Sequence, residues 1–318
     1  MNTMTLAPRA ADISQSEPSV QLLGLLKVRG YQFTTPTPAT HRKVLRRAEM
    51  NRAVDLRGVF GWSLPFPADL LPREIMQALE RAGGLRDGPQ GFRSAYRVAS
   101  LGPDLVMHSA FPPSAEDAVF FGPDTYRFAR LLRDTLGNED LGHVIDIGTG
   151  SGAGALVVAR QCKVRSLTAT DVNATALAIA RTNLQAAGIL ADFRLGSGLD
   201  AVSEQADLII ANPPFIAGDG GRTYRDGGDM IGARLSLEWA VAASSRLAPC
   251  GRFILYTGSA IVDGGDALHE ALSARLDLRK FTLRYEELDP DIFGGQLSAK
   301  GYERVERIAA VGAVITRL

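Results

Sequence analysis

Three groups of residues in this chain have the types and spacing to do chemistry. The first is Asn212-Pro213-Pro214-Phe215, which directly follows the apolar run Leu208-Ile209-Ile210-Ala211. Prolines lack the N–H that a sheet ladder needs and fix φ, so the strand ends at Asn212. An amide side chain and an exposed aromatic ring are thereby expected at a strand's carboxyl edge, where open α/β sheets bind ligands. The second group is Val144-Ile-Asp-Ile-Gly-Thr-Gly-Ser-Gly-Ala-Gly154, a buried strand turning through Gly148, Gly150 and Gly152 into a helix. Glycines there let the backbone turn tightly and approach a ligand, and the helix N-terminus offers free N–H groups. The third is Asp171, which ends the next strand twenty-five residues after Asp146 and can accept both hydroxyls of a ribose.

A glycine turn followed by an acid also fits a nicotinamide cofactor. A dehydrogenase, however, wants Gly-x-Gly-x-x-Gly, whereas this chain reads Gly148-Thr149-Gly150-Ser151-Gly152. Asp146 just before the glycines suits a ligand carrying an ammonium group and is badly placed for a pyrophosphate. An NAD-dependent oxidoreductase, or a nucleotide-binding module without catalysis, also leaves Asn212-Pro-Pro-Phe215 without a purpose.

Those residues need strands to hold them in line. From residue 143 onward, strand-like segments near 143–147, 166–170, 190–195, 207–211 and 251–257 alternate with helix-like segments near 153–161, 173–187, 232–247 and 264–275. This alternation predicts an α/β fold with a parallel, doubly wound sheet. Two more strands are expected at 279–285 and 307–315, around a loop at 289–301. A helix is expected over 126–136, capped by Asp124 or Thr125.

The first part of the chain reads as a tail over 1–17 and an accessory α+β domain over 18–115, with the sheet domain over 116–318. Helices are expected at 20–28, 41–54 and 73–82, a loop at 83–91, and a hairpin over 92–108 turning at Gly102-Pro103. The stretch 27–57 carries eight Lys and Arg against Glu49 and Asp55, either a solvated face or a dock for phosphates or an acidic partner. The five glycines of 216–230, with Tyr224 and Arg225, read as a lid whose Tyr and Arg contact substrate.

Composition narrows the class further. Net charge is zero and 46% of residues are apolar, as in an ordinary globular protein with no global pull towards polyanions. Two cysteines, Cys162 and Cys250, make no disulfide framework and no metal-ligand spacing, and both are expected to be buried. No run approaches the ~18 apolar residues of a membrane span, and the first fifteen residues lack a signal-peptide core. A cytoplasmic location follows.

Asp146-Ile-Gly-Thr-Gly-Ser-Gly152, Asp171 and Asn212-Pro-Pro-Phe215 together resemble the class I S-adenosylmethionine-dependent methyltransferases. They are most similar to the small-domain group that includes the release-factor glutamine methyltransferases and the ribosomal-RNA guanine-N2 and adenine-N6 methyltransferases. Phe120-Phe-Gly-Pro-Asp-Thr-Tyr126 resembles the segment that closes over the cofactor in that group. The resemblance covers residues 116–318 and implies a Rossmann-like sheet with an antiparallel last strand, S-adenosylmethionine as cofactor and no metal. By the resemblance, Asp146 and the backbone at Gly148, Thr149, Gly150 and Gly152 hold the methionine moiety. Asp171 takes the ribose, with Val172 beside the adenine and Ser197 where relatives often carry an acid. The Asn212 side-chain oxygen and the Pro213 carbonyl accept hydrogen bonds from a target NH₂, and Phe215 stacks on its plane. The implied substrate is a glutamine- or asparagine-type amide of a protein; the alternative is an exocyclic amino group of guanine or adenine in RNA, less readily DNA.

Overall fold

A computed structural model of the chain describes residues 17–113, 115–216 and 231–318. The sequence reading of Tyr224, Arg225 and the lid, and nearly all of the 1–17 tail, falls outside these residues. By its contacts the described chain forms two compact units. One comprises 17–113 with 120–123 and 181–189, the other 115–119, 124–180, 190–216 and 231–318.

In the second unit the apolar run before Asn212 becomes β8 (Ala206–Ala211), with Leu208, Ile209, Ile210 and Ala211 all at 0% exposure. A strand buried on both faces must have neighbours on both edges and layers above and below. Its edges pair in parallel with β5 (Asp140–Ile147) and β9 (Leu247–Val262). β6 (Lys163–Asp171) and β7 (Asp192–Leu195) extend the parallel sheet beyond β5. On the other side β12 (Val305–Arg317) lies antiparallel between β9 and β11 (Phe281–Asp289), and the short β10 (Gly265–Asp266) pairs with β9. The order is β11-β12-β9-β8-β5-β6-β7, the doubly wound, mostly parallel sheet with an antiparallel last strand that the alternation and the resemblance imply.

Helices cover both faces. Ile145, Ile209, Phe253 and Val311 form one core with Leu237 and Ala240 of α8 (Arg234–Ser244) and Leu268 and Leu272 of α9 (Ala267–Arg275). On the opposite face α5 (Pro123–Thr135) and α6 (Ala153–Gln161) approach so closely that a Cβ on Gly154 would lie 2.8 Å from Phe128 and 2.9 Å from Ile210. Between β6 and β7 runs α7 (Ala174–Ala186). The α5 reading needs correction: the helix starts at Pro123, which is pre-set for a first helical position. Asp124 therefore stands inside the first turn, where its carboxylate accepts from Tyr256 rather than capping.

The first unit has α1 (Pro18–Val28), α2 (Pro38–Leu45), α3 (Leu56–Phe60) and α4 (Arg73–Arg81) packed with two hairpins, β1/β2 (Leu85–Gly88, Gly91–Ser94) and β3/β4 (Tyr96–Leu101, Asp104–Ser109). Its core joins Leu22, Phe60, Ile75, Val98 and Met107. The hairpin turning at Gly102-Pro103 forms, but over 96–109 rather than 92–108, because Phe92 to Ser94 pair with β1 instead. Two expectations fail here. The basic helix is shorter and begins earlier, because Thr37 caps it by accepting from the Thr40 N–H at 3.1 Å, and after Leu45 the chain breaks into a 3₁₀ turn, Ala48–Asn51. The expected loop 83–91 instead contributes β1 to a hairpin with β2.

Cys162 is buried, but Cys250 is exposed in a left-handed conformation (φ 62°), a correction to the reading of both as core residues. No helix among the described residues is long and apolar enough to cross a membrane.

Candidate active site

The three sequence groups meet at one sheet edge. In the registers, Ile147 lies opposite both Thr170 and Ala211, so the turns that follow β5, β6 and β8 leave side by side. β6 flanks β5 on one side and β8 on the other, so this is also the point where strand order reverses and α/β sheets open a crevice.

The glycine turn is built by its own hydrogen bonds. Gly148, Gly150 and Gly152 have φ of 63°, 55° and 77°, a left-handed backbone that side chains disfavour. Thr149 N–H donates to the Thr170 carbonyl at 2.9 Å, and Gly150 N–H donates to Asp171 Oδ2 at 2.9 Å. The glycine turn and Asp171 are therefore fixed to one another. Asp171 Oδ1 accepts from Asn173 N–H at 2.9 Å. Each oxygen retains a lone pair for a further donor.

Asp146 is 2% exposed, and its Oδ2 accepts from the Thr149 hydroxyl at 2.7 Å and the Ala155 N–H at 3.1 Å. Burial raises its proton affinity from an ordinary 3.8 to about 7, with Asp171 adding a smaller push in the same direction and both hydrogen bonds opposing it. Burial also pushes Asp171 upwards, against the hydrogen bonds from Asn173, Gly150 and Val172. Two carboxyls that resist ionisation on their own gain most from a ligand that brings positive charge and hydroxyl donors.

Around this pair, the Gly196 N–H donates to the Asp171 carbonyl at 3.0 Å and the Thr170 hydroxyl to the Gly198 carbonyl at 2.9 Å. They place exposed Ser197 beside the second strand's end, close to Val172, which is 52% exposed. Trp239 of α8 bridges both turns: a Cβ on Gly148 would lie 2.8 Å from its ring, and one on Gly198 3.1 Å from Nε1. Asp117 ties down the opposite rim by accepting from the Thr175 hydroxyl at 2.7 Å, while its carbonyl accepts from the Asn173 amide at 2.8 Å. Neither Asp117 nor Trp239 carries a sequence signal; a Trp at helical spacing reads as packing.

Asn212 follows Ala211 at the end of β8, half-buried, and Pro213 after it is buried. Phe215 is the clearest departure. Its ring, expected to be exposed, is only 9% so, packing edge-on against Tyr256 (6.4 Å between centroids) and Phe293 (5.5 Å). Gly258 makes the room: a Cβ there would lie 2.3 Å from the ring.

Comparison with known proteins fits this geometry. Residues 115–233 match the family model described as methyltransferase small domain. A release factor glutamine methyltransferase of Bordetella pertussis is 34% identical over 194 residues, covering 58% of this chain and 70% of the relative. A release factor glutamine methyltransferase of Cereibacter sphaeroides is 33% identical, and the chain spans 49% of its length. A ribosomal RNA small subunit methyltransferase C of Pseudomonas entomophila is 38% identical over 88 residues, 28% of this chain and 26% of that one. Among solved structures, Trm5b from Pyrococcus abyssi shares the fold at a TM-score of 0.50 and 14% identity, over 74% of this chain and 62% of its own. The chain belongs to the methyltransferase small-domain family of S-adenosylmethionine-dependent N-methyltransferases. Its glycine turn, with the carboxyls of buried Asp146 and half-buried Asp171 beside it, fits that cofactor.

Proposed function

We propose that this enzyme methylates the side-chain amide nitrogen of a glutamine- or asparagine-type residue in a protein. The supporting observation is the extent of likeness: it reaches 70% of a release factor glutamine methyltransferase but 26% of an rRNA methyltransferase. When bound, S-adenosylmethionine supplies an electrophilic methyl on a sulfonium. Asp146 and the Gly148–Thr149–Gly150–Gly152 backbone hold its methionine end. Asp171 holds the ribose, and Val172 and Ser197 lie beside the adenine.

An amide nitrogen is a poor nucleophile because its lone pair is delocalised. The Asn212 side-chain oxygen and the Pro213 carbonyl accept hydrogen bonds from its two N–H groups and favour the pyramidal, charge-developing geometry. Phe215 limits the plane of the amide, so that orientation is fixed before reaction. No strong general base is needed. In this reading residues 18–115 form the recognition domain and 116–318 the transfer domain, with Tyr224 and Arg225 as further substrate contacts.

A second reading, an amino group of RNA, has one observation in its favour. Arg42, Lys43, Arg46, Arg47, Arg52 and Arg57 are all exposed, and none has an ion-pair partner among the described residues. Arg42 and Lys43 stand in the last turn of α2 and Arg46 and Arg47 follow it directly, so four cations gather at one helix end, where an anion would relieve their mutual repulsion. Incubation with tritiated S-adenosylmethionine and fractionated lysate from a strain lacking the enzyme separates the readings. Label in protein supports the amide, label in RNA transfers the assignment to the base, and label in neither overturns both.

Ionisation of Asp146 gives a pH test of the cofactor assignment. The cofactor's ammonium pairs with the carboxylate, which the free enzyme holds protonated below about pH 7. Affinity for S-adenosylmethionine, measured by calorimetry, is expected to rise between pH 6 and pH 8. Asp146→Asn is expected to bind weakly with no such rise; a wild-type affinity independent of pH in this range would remove Asp146 from the ammonium site.

A further inference from the structure

The burial of Phe215 leaves open which ring faces an arriving acceptor. Phe293 is half-buried, so unlike Phe215 it keeps open surface while touching Phe215 at 5.5 Å and 76°. It lies in the loop between β11 and β12, where it starts the 3₁₀ turn Gly294–Ser298. Its backbone is left-handed, with φ 57° and ψ 31°. Gly294 and Gly295 follow immediately and would take that conformation at no steric cost, yet the aromatic residue holds it. Strain of this kind persists only where the surroundings over-determine it, and it gathers at functional sites.

Here the surroundings form a connected run of side chains. Phe293 meets Phe215, and Phe215 meets Tyr256. The Tyr256 hydroxyl donates to Asp124 Oδ1 at 2.7 Å, and Arg127 Nη1 donates to the same oxygen at 3.3 Å. Arg127 Nη2 reaches Asp289 Oδ2 at 2.8 Å, and Asp289 Oδ1 accepts from the Asp291 N–H at 3.2 Å. Ile292, buried, ties the same loop to β12 by donating its N–H to the Ile308 carbonyl at 2.7 Å. The loop that carries Phe293 is thus braced by α5 and by the same Tyr256 that supports Phe215.

We propose that Phe293 is an acceptor-positioning residue: with Phe215 it forms an aromatic wall against which a flat sp² group lies when it reaches Asn212. Phe215 is the buried base of that wall and Phe293 its outer face. The proposal rests on the planar-nitrogen reading above. It adds a residue outside the Asn-Pro-Pro-Phe motif and a physical reason for the loop's conformation.

The test compares wild type, Phe293→Ala, Phe293→Gly and Phe293→Tyr in steady-state methylation of two probes. One is a short glutamine-containing peptide and the other a short single-stranded RNA with one unpaired guanine. For whichever probe the wild type methylates, Phe293→Ala and Phe293→Gly are expected to raise KM at least tenfold, with kcat changed less and S-adenosylmethionine affinity kept. Phe293→Tyr is expected to restore KM. Phe293→Gly releases the backbone strain, so its Tm should equal or exceed that of Phe293→Ala, which separates loss of the wall from loss of fold. KM within twofold of wild type in both truncations overturns the role of Phe293 alone. A wild type that methylates neither probe overturns the acceptor reading, and the role of Phe293 falls with it.

Discussion

Asn212→Ala is expected to lower kcat for methyl transfer by roughly 10²–10³-fold, the usual loss when one preorganised hydrogen-bonding group is removed from a transition state. Asn212 is half-buried at the end of β8, one residue beyond Ala211, which lies level with Ile147 just before the glycine turn. An alanine there changes no backbone hydrogen bond and fills less space, so the fold and the cofactor's two acids stay as they are. The expected signature is therefore a large fall in kcat with S-adenosylmethionine binding retained by calorimetry. Asn212→Asp is the sharper variant: a carboxylate still accepts hydrogen bonds but adds charge beside a developing cation. Near-wild-type turnover in Asn212→Ala would show that the acceptor nitrogen is held elsewhere.

Acid is expected to destabilise the first unit between pH 6.5 and pH 4. His41 is fully buried; its Nε2 lies 3.1 Å from the Trp62 carbonyl, and its Nδ1 has no partner. His108, 1% exposed, stacks on Phe121 and leaves Nε2 without a partner. Arg97 stands directly across the β3/β4 hairpin from His108, itself buried, with Nε donating to the Gly61 carbonyl at 2.9 Å. Protonating either imidazole would put a second cation into an apolar site beside that guanidinium. Burial first, and then Arg97, hold His41 down from 6.5 to about 4 and His108 well below its ordinary value.

The unfolded chain takes these protons below pH 6.5, while folded His41 does not until about pH 4. Stability from the neutral ring is therefore fully present above pH 6.5 and drains away as pH falls. For His41 the loss is about 2 kcal/mol by pH 5 and about 3 kcal/mol by pH 4. Asp146 works the other way in the second unit, because its folded form holds a proton up to about pH 7. The informative quantity is thus the difference between wild type and His41→Gln, whose amide can still donate to the Trp62 carbonyl but does not titrate. Urea unfolding at pH 7.5, 6, 5 and 4 should show that difference change by about 2 kcal/mol between the first and third values. A constant difference would place His41 in a polar or hydrated setting.

The second unit was largely legible because its signals are local. Gly148, Gly150 and Gly152 mark a turn by their own conformational freedom. Pro213 and Pro214 stop a strand wherever they stand, and the apolar runs have strand length. For the same reason the pattern predicts a helix at 153–161, and α6 spans Ala153–Gln161. What could not be read depended on contacts distant in sequence. The exposure of Phe215 is decided by Tyr256, Gly258 and Phe293, forty or more residues away. In the first unit, short elements and weak periodicity hid β1 and its pairing with β2, and the capping by Thr37 outweighed the longer basic pattern. Asp146 illustrates a mixed case. Its identity signalled a cationic ligand, but only the structure shows that its carboxylate also holds the glycine turn through Thr149 and Ala155.

Trp239 gives the enzyme a built-in optical signal. The chain has two tryptophans, and Trp62 lies in the first unit beside His41. The indole of Trp239 touches the turn after β5 and the loop after β7, the two segments flanking Asp171. Any ligand that moves either segment alters the polarity around that ring. In a Trp62→Phe background, emission from Trp239 is expected to change in intensity or wavelength on adding S-adenosylmethionine and to titrate with the calorimetric affinity. Cofactor occupancy could then be followed on the stopped-flow timescale, with no label attached and no acceptor present.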